Sequence, residues 1–323
     1  MKYQSYDVAI VGGGAAGLSA ALVLARSRRR VVVLDAGTPR NAPAAHMHNF
    51  LSRDGVPPAD LLAAGRAEVL GYGSEIVSAT VTGIEATPTG FTARLDDGST
   101  VPARRLLIAT GLTDELPEVP GVRERWGRDV LHCPYCHGYE VRDQQLGVLG
   151  SGPKSVHQAL LVRQLSPDVV FFRHTLPNLG AEDRERLAAR DVRVVEAPVS
   201  GLVVEGDRLT GVQLADGSVV ARSAVFVAPR FVANDANDAT LAVLGAETER
   251  SALGTWVTTD PSGRTSVPGV WAVGNVADPA AFVIEAAAAG ARAAAALNAD
   301  LVDEDVARAM ADRARVSAGT ATS

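Results

Sequence analysis

Cysteine is scarce: two in 323 residues, far too few for a secreted disulfide framework, and both fall in one short segment. Their chemistry should therefore matter more than any stapling, and a reducing, cytoplasmic compartment is the expectation. Long apolar runs are also missing. No stretch reaches the ~18 uncharged apolar residues of a membrane span, and the first apolar run, Val8 to Val11, follows directly on Asp7. Neither a span nor a secretory leader is expected. Lysine is reduced to Lys2 and Lys154 among 31 basic residues, a compositional bias that carries no functional implication. The longest basic run is Arg28-Arg29-Arg30, and the net charge is −6 with a pI near 5.6. Nothing here draws a phosphate backbone, so nucleic acid is excluded as a partner. What is present is ordinary globular composition, 47% hydrophobic and 21% charged. The length is about twice the ~150-residue domain, so two domains are expected.

The chain reads as two copies of one pattern. Tyr6 to Val11 is a β-branched strand, Gly12 to Gly17 a glycine turn, and Leu18 to Arg26 an alanine-rich helix; Val31 to Leu34 is the next strand and ends in Asp35. Short strands and turns follow as far as Arg105 to Gly111. Leu112 to Gly121 is Pro-rich and acidic, as a linker would be. The pattern then restarts at Leu146-Gly-Val-Leu-Gly-Ser-Gly152, with Asp168 to Phe172 as its second strand. Val270 to Asn275 predicts a strand ending in a glycine turn, Ala280 to Leu297 a long helix, and the residues after Arg315 a frayed tail. The fold class is α/β with two Rossmann-like units.

Gly12-x-Gly14-x-x-Gly17 between strand and helix lets backbone approach a pyrophosphate, which the free N–H groups of the helix N-terminus stabilise. Ala15 and Ala16 belong to that turn. Asp35, 18 residues after Gly17, would hold ribose hydroxyls, with Ala36 beside it. The fingerprint alone does not separate FAD from NAD. FAD is favoured by the N-terminal position together with the distant segments Thr110-Gly111 and Gly274-Asn275, since an extended flavin needs contacts from several chain regions. Val81 is a further candidate contact.

His132-Cys133-Pro-Tyr-Cys136-His137 is the chemically densest segment. A Cys-x-x-Cys pair closes a small disulfide ring, and neighbouring dipoles or charges lower the attacking thiol's pKa so that exchange runs at neutral pH. Proline shapes the turn, and His137 is placed to shuttle a proton. Inert buried thiols are the bland alternative. A zinc site would need adjacent residues to converge on one tetrahedron, so no metal is expected. Haem attachment at Cys133-x-x-Cys136-His137 would need export, and the glutaredoxin string Cys-Pro-Tyr-Cys belongs to a much smaller domain.

With an N-terminal FAD fingerprint, a dithiol just before a second fingerprint, and a terminal Gly-Asn turn, the chain resembles the low-molecular-weight thioredoxin reductase family over nearly its whole length. The resemblance implies a discontinuous FAD domain, residues 1–117 and 252–316, with a pyridine-nucleotide domain, 118–251, inserted into it and carrying the CxxC; residues 317–323 are left as the frayed tail. It implies a homodimer, with Cys136 facing the flavin and Cys133 exchanging with substrate. Asn49 matches the family's flavin-contacting Asn, and Ala109-Thr110-Gly111 its Ala-Thr-Gly.

The chain also departs from that pattern. His137 replaces the family's usual aspartate, Asn275 the Asp of its Gly-Asp, and Phe282 its usual Gln. In the second fingerprint Ser155 stands at the third glycine position and Pro153 stiffens the turn. The family's arginine cluster for the 2′-phosphate is reduced to Arg173. Two lost charge-assisted contacts, each on the order of 1.5–3 kcal/mol, would weaken that site by about a hundredfold or more, so NADPH is expected to bind poorly. The Cys-Pro-x-Cys-His pattern is similar to that of the thioredoxin reductase-like dithiol oxidases. The resemblance then implies electrons passing from a dithiol through Cys133 and Cys136 to FAD and on to O2, the dithiol being a small molecule or a thioredoxin-like protein. Three alternatives stay open: an NADPH-dependent reductase in which Arg184 or Arg186 joins Arg173, a reductase fed by another carrier such as ferredoxin, and a flavin-binding regulator without turnover. His46 and His48 read most simply as surface-loop histidines.

Overall fold

The computed structural model describes residues 5–232 and 244–320. Its first sheet has seven strands. Tyr6–Val11 lies in the middle, parallel to Val31–Asp35 on one side and to Thr100–Ile108 on the other. The β-branched run makes this the expected strand, and five of its six residues are buried, Val8 and Ile10 against helices and Ala9 and Val11 against the strand residues Val81, Ile84, Phe91 and Leu95. Thr100–Ile108 is long enough to serve two neighbours on its other edge. Its first half pairs antiparallel with Gly90–Leu95, and its last residues pair parallel with Val270–Ala272, Leu106 opposite Val270. The chain thus leaves the sheet after residue 108 and returns to it at residue 270.

Between those points lies a second parallel sheet of five strands, in the order Arg193–Val195, Val169–Phe172, Leu146–Leu149, Ala224–Val227, Val130–Leu131. The architecture is therefore α/β with two dinucleotide-binding units, the second inserted into the first. The Pro-rich stretch read as a linker holds a strand, Thr113–Glu115, paired antiparallel with Arg230–Val232 in a four-stranded sheet. Its alternating Thr-Asp-Glu carries no apolar signal, so only the partner strand reveals it.

The helix Ala15–Arg26 packs on the C-terminal helix Val283–Thr320 through small residues, with Ala20, Ala21, Leu24, Ala293, Ala294 and Leu297 all at zero exposure. Each enclosed leucine here is worth roughly 1.5–3 kcal/mol. The sequence placed the long helix at Ala280 to Leu297, but it starts at Val283 and runs to Thr320. The late start follows from Pro279 and from the Phe282 N–H, which donates to Glu285 Oε2 at 2.7 Å and so caps the first turn. The extension past Leu297 is held by Arg29 on Asp305, Arg104 on Asp305, and Arg105 on Asp300 and Glu304. These arginines come from the first lobe, so no local pattern announced them. No helix among the described residues is long and apolar enough to cross a membrane.

Candidate active site

At Gly12 φ is +105°, and a Cβ there would sit 2.4 Å from the Ala109 carbonyl oxygen; a Cβ on Gly17 would sit 1.9 Å from the Gly12 carbonyl oxygen. Neither position takes a side chain without moving backbone, and this sets the close approach of helix to strand. Gly14 differs. Nothing lies within 4 Å of its Cβ position, and the helix it precedes has no side-chain cap on its first N–H groups. Open donors at a helix N-terminus with room beside them suit a pyrophosphate. Next to them the Gly13 N–H donates to Asp35 Oδ1 at 3.0 Å, and Arg66, from the helix Pro58–Gly71, pairs with the same carboxylate. Sequence reasoning missed Arg66, because the contact spans 31 positions and depends on how that helix crosses the sheet.

A cavity of about 820 Å³ runs from this cradle to the sulfurs. Along it lie Gly12, Gly14, Ala15, Ala16, Asp35, Ala36, Val81, Thr110, Gly111, Gly274 and Asn275, and at its far end Cys133, Cys136 and His137. Two of the expected cofactor residues are not on its wall. Gly17 is the packing glycine just described, and Asn49 turns its amide to the Tyr135 carbonyl oxygen, 2.7 Å away. Asn275 Nδ2 donates to the carbonyls of Asp278 and Ala281, both at 3.0 Å. Those carbonyls require a donor, which an aspartate would not provide.

Cys133 and Cys136 are joined as a disulfide across the turn Pro134–His137. The Cys136 N–H points at Cys133 Sγ, 3.1 Å away, and would stabilise that sulfur as a thiolate once the bond opens. His137 is half-buried, and burial holds its pKa below the ordinary 6.5 against the opposing pull of Glu140. A neutral imidazole beside the sulfurs accepts a proton at neutral pH. Burial also lowers His132, opposed by its bond to the Val227 carbonyl oxygen at 3.1 Å. That carbonyl only accepts, so Nδ1 of His132 carries the proton.

His46 and His48 both line the cavity, His46 exposed and His48 half-buried. His48 lies between two carboxylates, with Nδ1 3.3 Å from Asp54 Oδ2 and Nε2 3.4 Å from Glu140 Oε1. The loop reading missed this, because Glu140 belongs to the other lobe. At the rim, Tyr135, 63% exposed, meets the ring of Phe282 edge-on at 6.3 Å.

In the second lobe, Ser155 is fully buried, and its Oγ accepts from the N–H groups of Ser151 (3.2 Å) and Gly152 (3.1 Å). The serine at the third glycine position thus takes up donors that a phosphate would use. After the strand Val169–Phe172, Arg173 Nε donates to Glu196 Oε2 at 2.7 Å, and Arg184 pairs with the other oxygen of the same carboxylate. The hydrogen bonds from Arg184 and Arg173 hold Glu196 below the usual carboxylate range. Arg186 faces Asp183 instead.

A nucleotide cradle leading to a redox-capable disulfide, with a second nucleotide-type lobe inserted, defines a flavin-linked disulfide oxidoreductase. Residues 6–295 match the pyridine nucleotide-disulphide oxidoreductase family, and the chain belongs to it. It is an FAD-dependent, thioredoxin reductase-like enzyme. The chain is similar to the thioredoxin reductase sirT of Leptosphaeria maculans, 30% identical over 94% of this chain and 96% of that one. It is likewise similar to the thioredoxin reductase aclD of Aspergillus oryzae, 31% identical over 85% and 90%. Among solved structures, HlmI superposes with a TM-score of 0.92 at 57% identity, covering 98% of this chain and 99% of that one.

Proposed function

We propose that the protein oxidises dithiols with O2, R(SH)2 + O2 → RS2 + H2O2, through the Cys133–Cys136 disulfide. The observation that carries this reading is the corner beyond Phe172, where Glu196 engages both Arg173 and Arg184. A nucleotide 2′-phosphate would have to break those pairs and sit beside a carboxylate, which disfavours NADPH as the electron source. Gly12, Gly14, Ala15 and Ala16 would hold the pyrophosphate of FAD, Asp35, Ala36 and Val81 its adenosine end, and Thr110, Gly111, Gly274 and Asn275 its flavin half. Bound there, FAD supplies the two-electron acceptor that restores the disulfide and delivers the pair to O2.

The protein's own residues handle the sulfur chemistry. A substrate thiolate attacks Cys133 Sγ, the Cys133–Cys136 bond breaks, and Cys136 leaves as thiolate. His137 takes the proton of the second substrate thiol, whose attack on the mixed disulfide releases RS2 and Cys133, the Cys136 N–H stabilising the leaving sulfur. We take the working unit to be a homodimer. Val302, Val306 and Met310, one turn apart and exposed on the C-terminal helix, offer an apolar row that a second copy would cover; sedimentation as a monomer would remove that part of the reading.

The test is anaerobic stopped-flow. Excess dithiothreitol should bleach the flavin and NADPH should not, while in air each dithiol oxidised should consume one O2. The names of the curated relatives favour a second reading, an NADPH-dependent disulfide reductase. Rapid, full bleaching by NADPH would establish it and end the first.

A further inference from the structure

The lobe that carries the sulfurs joins the first lobe through adjacent strands, Thr113–Glu115 and Arg230–Val232, with Phe231 opposite Asp114. A paired neck of that kind fixes one end of the lobe and leaves the other to be held by its own contacts. Beside the contact of Phe282 with Tyr135, a closed loop supplies such contacts. The Met47 N–H donates to the Val56 carbonyl at 2.9 Å and the Gly55 N–H to the Met47 carbonyl at 2.8 Å. Inside the loop a single carboxylate orders two side chains: Asp54 Oδ1 accepts the Asn49 N–H at 2.9 Å, and Asp54 Oδ2 faces His48 Nδ1. The Asn49 N–H, with His48 second, holds Asp54 below its ordinary carboxylate value. Asn49 has φ +65°, a left-handed conformation that asparagine tolerates better than most residues, and from there its amide reaches the Tyr135 carbonyl. His48 reaches Glu140. The grip therefore falls on both sides of Cys136.

We infer that Asn49 and His48, ordered by Asp54, are positioning residues that seat the disulfide turn against the nucleotide cavity. This rests on the reading that the disulfide lies on the electron path. Asn49, matched by sequence to a flavin contact, directs its amide to the turn that carries the sulfurs. Each bond is solvent-exposed and singly modest, so removing one should slow transfer from the reduced cysteines by about three- to tenfold rather than abolish it.

Two measurements on the holoprotein test this. Anaerobic bleaching by rising dithiothreitol separates the concentration-dependent exchange at Cys133 from the plateau rate of the internal step. Asn49→Ala and His48→Ala should lower the plateau three- to tenfold, leave the half-saturating dithiothreitol concentration and the bound flavin unchanged, and His48→Gln, which keeps a donor toward Glu140, should recover part of the loss. Hydrogen–deuterium exchange should rise in residues 133–141 of the alanine variants and nowhere else beyond the loop itself. If a variant sheds its flavin, the exchange pattern of the flavin-free protein decides. An unchanged plateau, a loss carried by the half-saturating concentration, or unaltered exchange at 133–141 would overturn the inference. Wild-type protein that dithiothreitol does not bleach would overturn the electron-path reading beneath it, a distinct result.

Discussion

Replacing Glu196 with glutamine tests the reading of the second lobe most directly. The side chain keeps its size and loses its charge, which frees Arg173 and Arg184. Glu196 is 52% exposed and Arg184 47%, so each ion pair is worth about 0.2–1 kcal/mol, and the variant should lose at most about 2 kcal/mol of stability. For a ligand the same pairs act as a barrier. Breaking both costs on the order of 0.4–2 kcal/mol, and a carboxylate about 5 Å from a phosphate dianion in water-like dielectric adds roughly another 0.8–1.6 kcal/mol. Removing both terms should tighten 2′-phosphate binding between about tenfold and a few hundredfold. Titration calorimetry with 2′,5′-ADP against 5′-AMP isolates that phosphate. Glu196→Gln should bind 2′,5′-ADP more tightly than wild type does, with 5′-AMP unchanged. Equal 2′,5′-ADP affinity in wild type and variant would show that the carboxylate does not guard the corner.

Cys133→Ser and Cys136→Ser should each abolish flavin bleaching by dithiothreitol, having no Cys133–Cys136 disulfide to open, whereas Cys136→Ser given the disulfide product RS2 should hold it as a mixed disulfide on Cys133, the second substrate sulfur leaving as a thiol, visible as an adduct by intact-mass spectrometry. The rate of thiol exchange should fall on the acid side with a midpoint below 6.5, because burial lowers His137, and His137→Gln should erase that limb from the pH profile. By the same sign, the stability contributed by neutral His132 and His137 is complete above about pH 6.5 and is lost as pH falls through their depressed folded values, so thermal melts should weaken there and less so in His137→Gln. Phe282→Gln removes the ring that meets Tyr135 and should raise KM for apolar dithiols about two- to tenfold with kcat held, an effect that a hydrophilic dithiol should not show.

Much of the fold was legible because its signals are local. Strand, glycines, helix, strand and Asp35 sit at spacings that covalent geometry enforces, and Cys133-x-x-Cys136 closes a ring within one turn of chain. Contacts between residues far apart in sequence left no such trace. Arg66 on Asp35, Glu140 on His48 and Glu196 on Arg173 are ordinary surface charges until folding brings them together. The strand Thr113–Glu115 was hidden for a related reason, since an alternating polar segment acquires strand geometry only when Arg230–Val232 supplies the ladder. The helix past Leu297 extends further than its alanine-rich run because Leu301 is enclosed against the first lobe and Arg29, Arg104 and Arg105 anchor the turns beyond it, contacts that no local spacing announces. Ser155 was seen as a missing glycine, yet its hydroxyl fills the role of an acceptor, which a spacing rule does not encode.

Asn275 shows how a one-letter difference can mislead. Its amide hydrogens are committed to the bend that delivers Phe282 to the rim, so the electrical polarity of that corner is reversed from one built around an acid, and only the Oδ1 lone pairs remain to offer a bound partner. A library scanning this position alone would score aspartate as damaging through repulsion by two backbone oxygens. Ancestral reconstruction or grafting between relatives must therefore move residues 275 to 282 as one block.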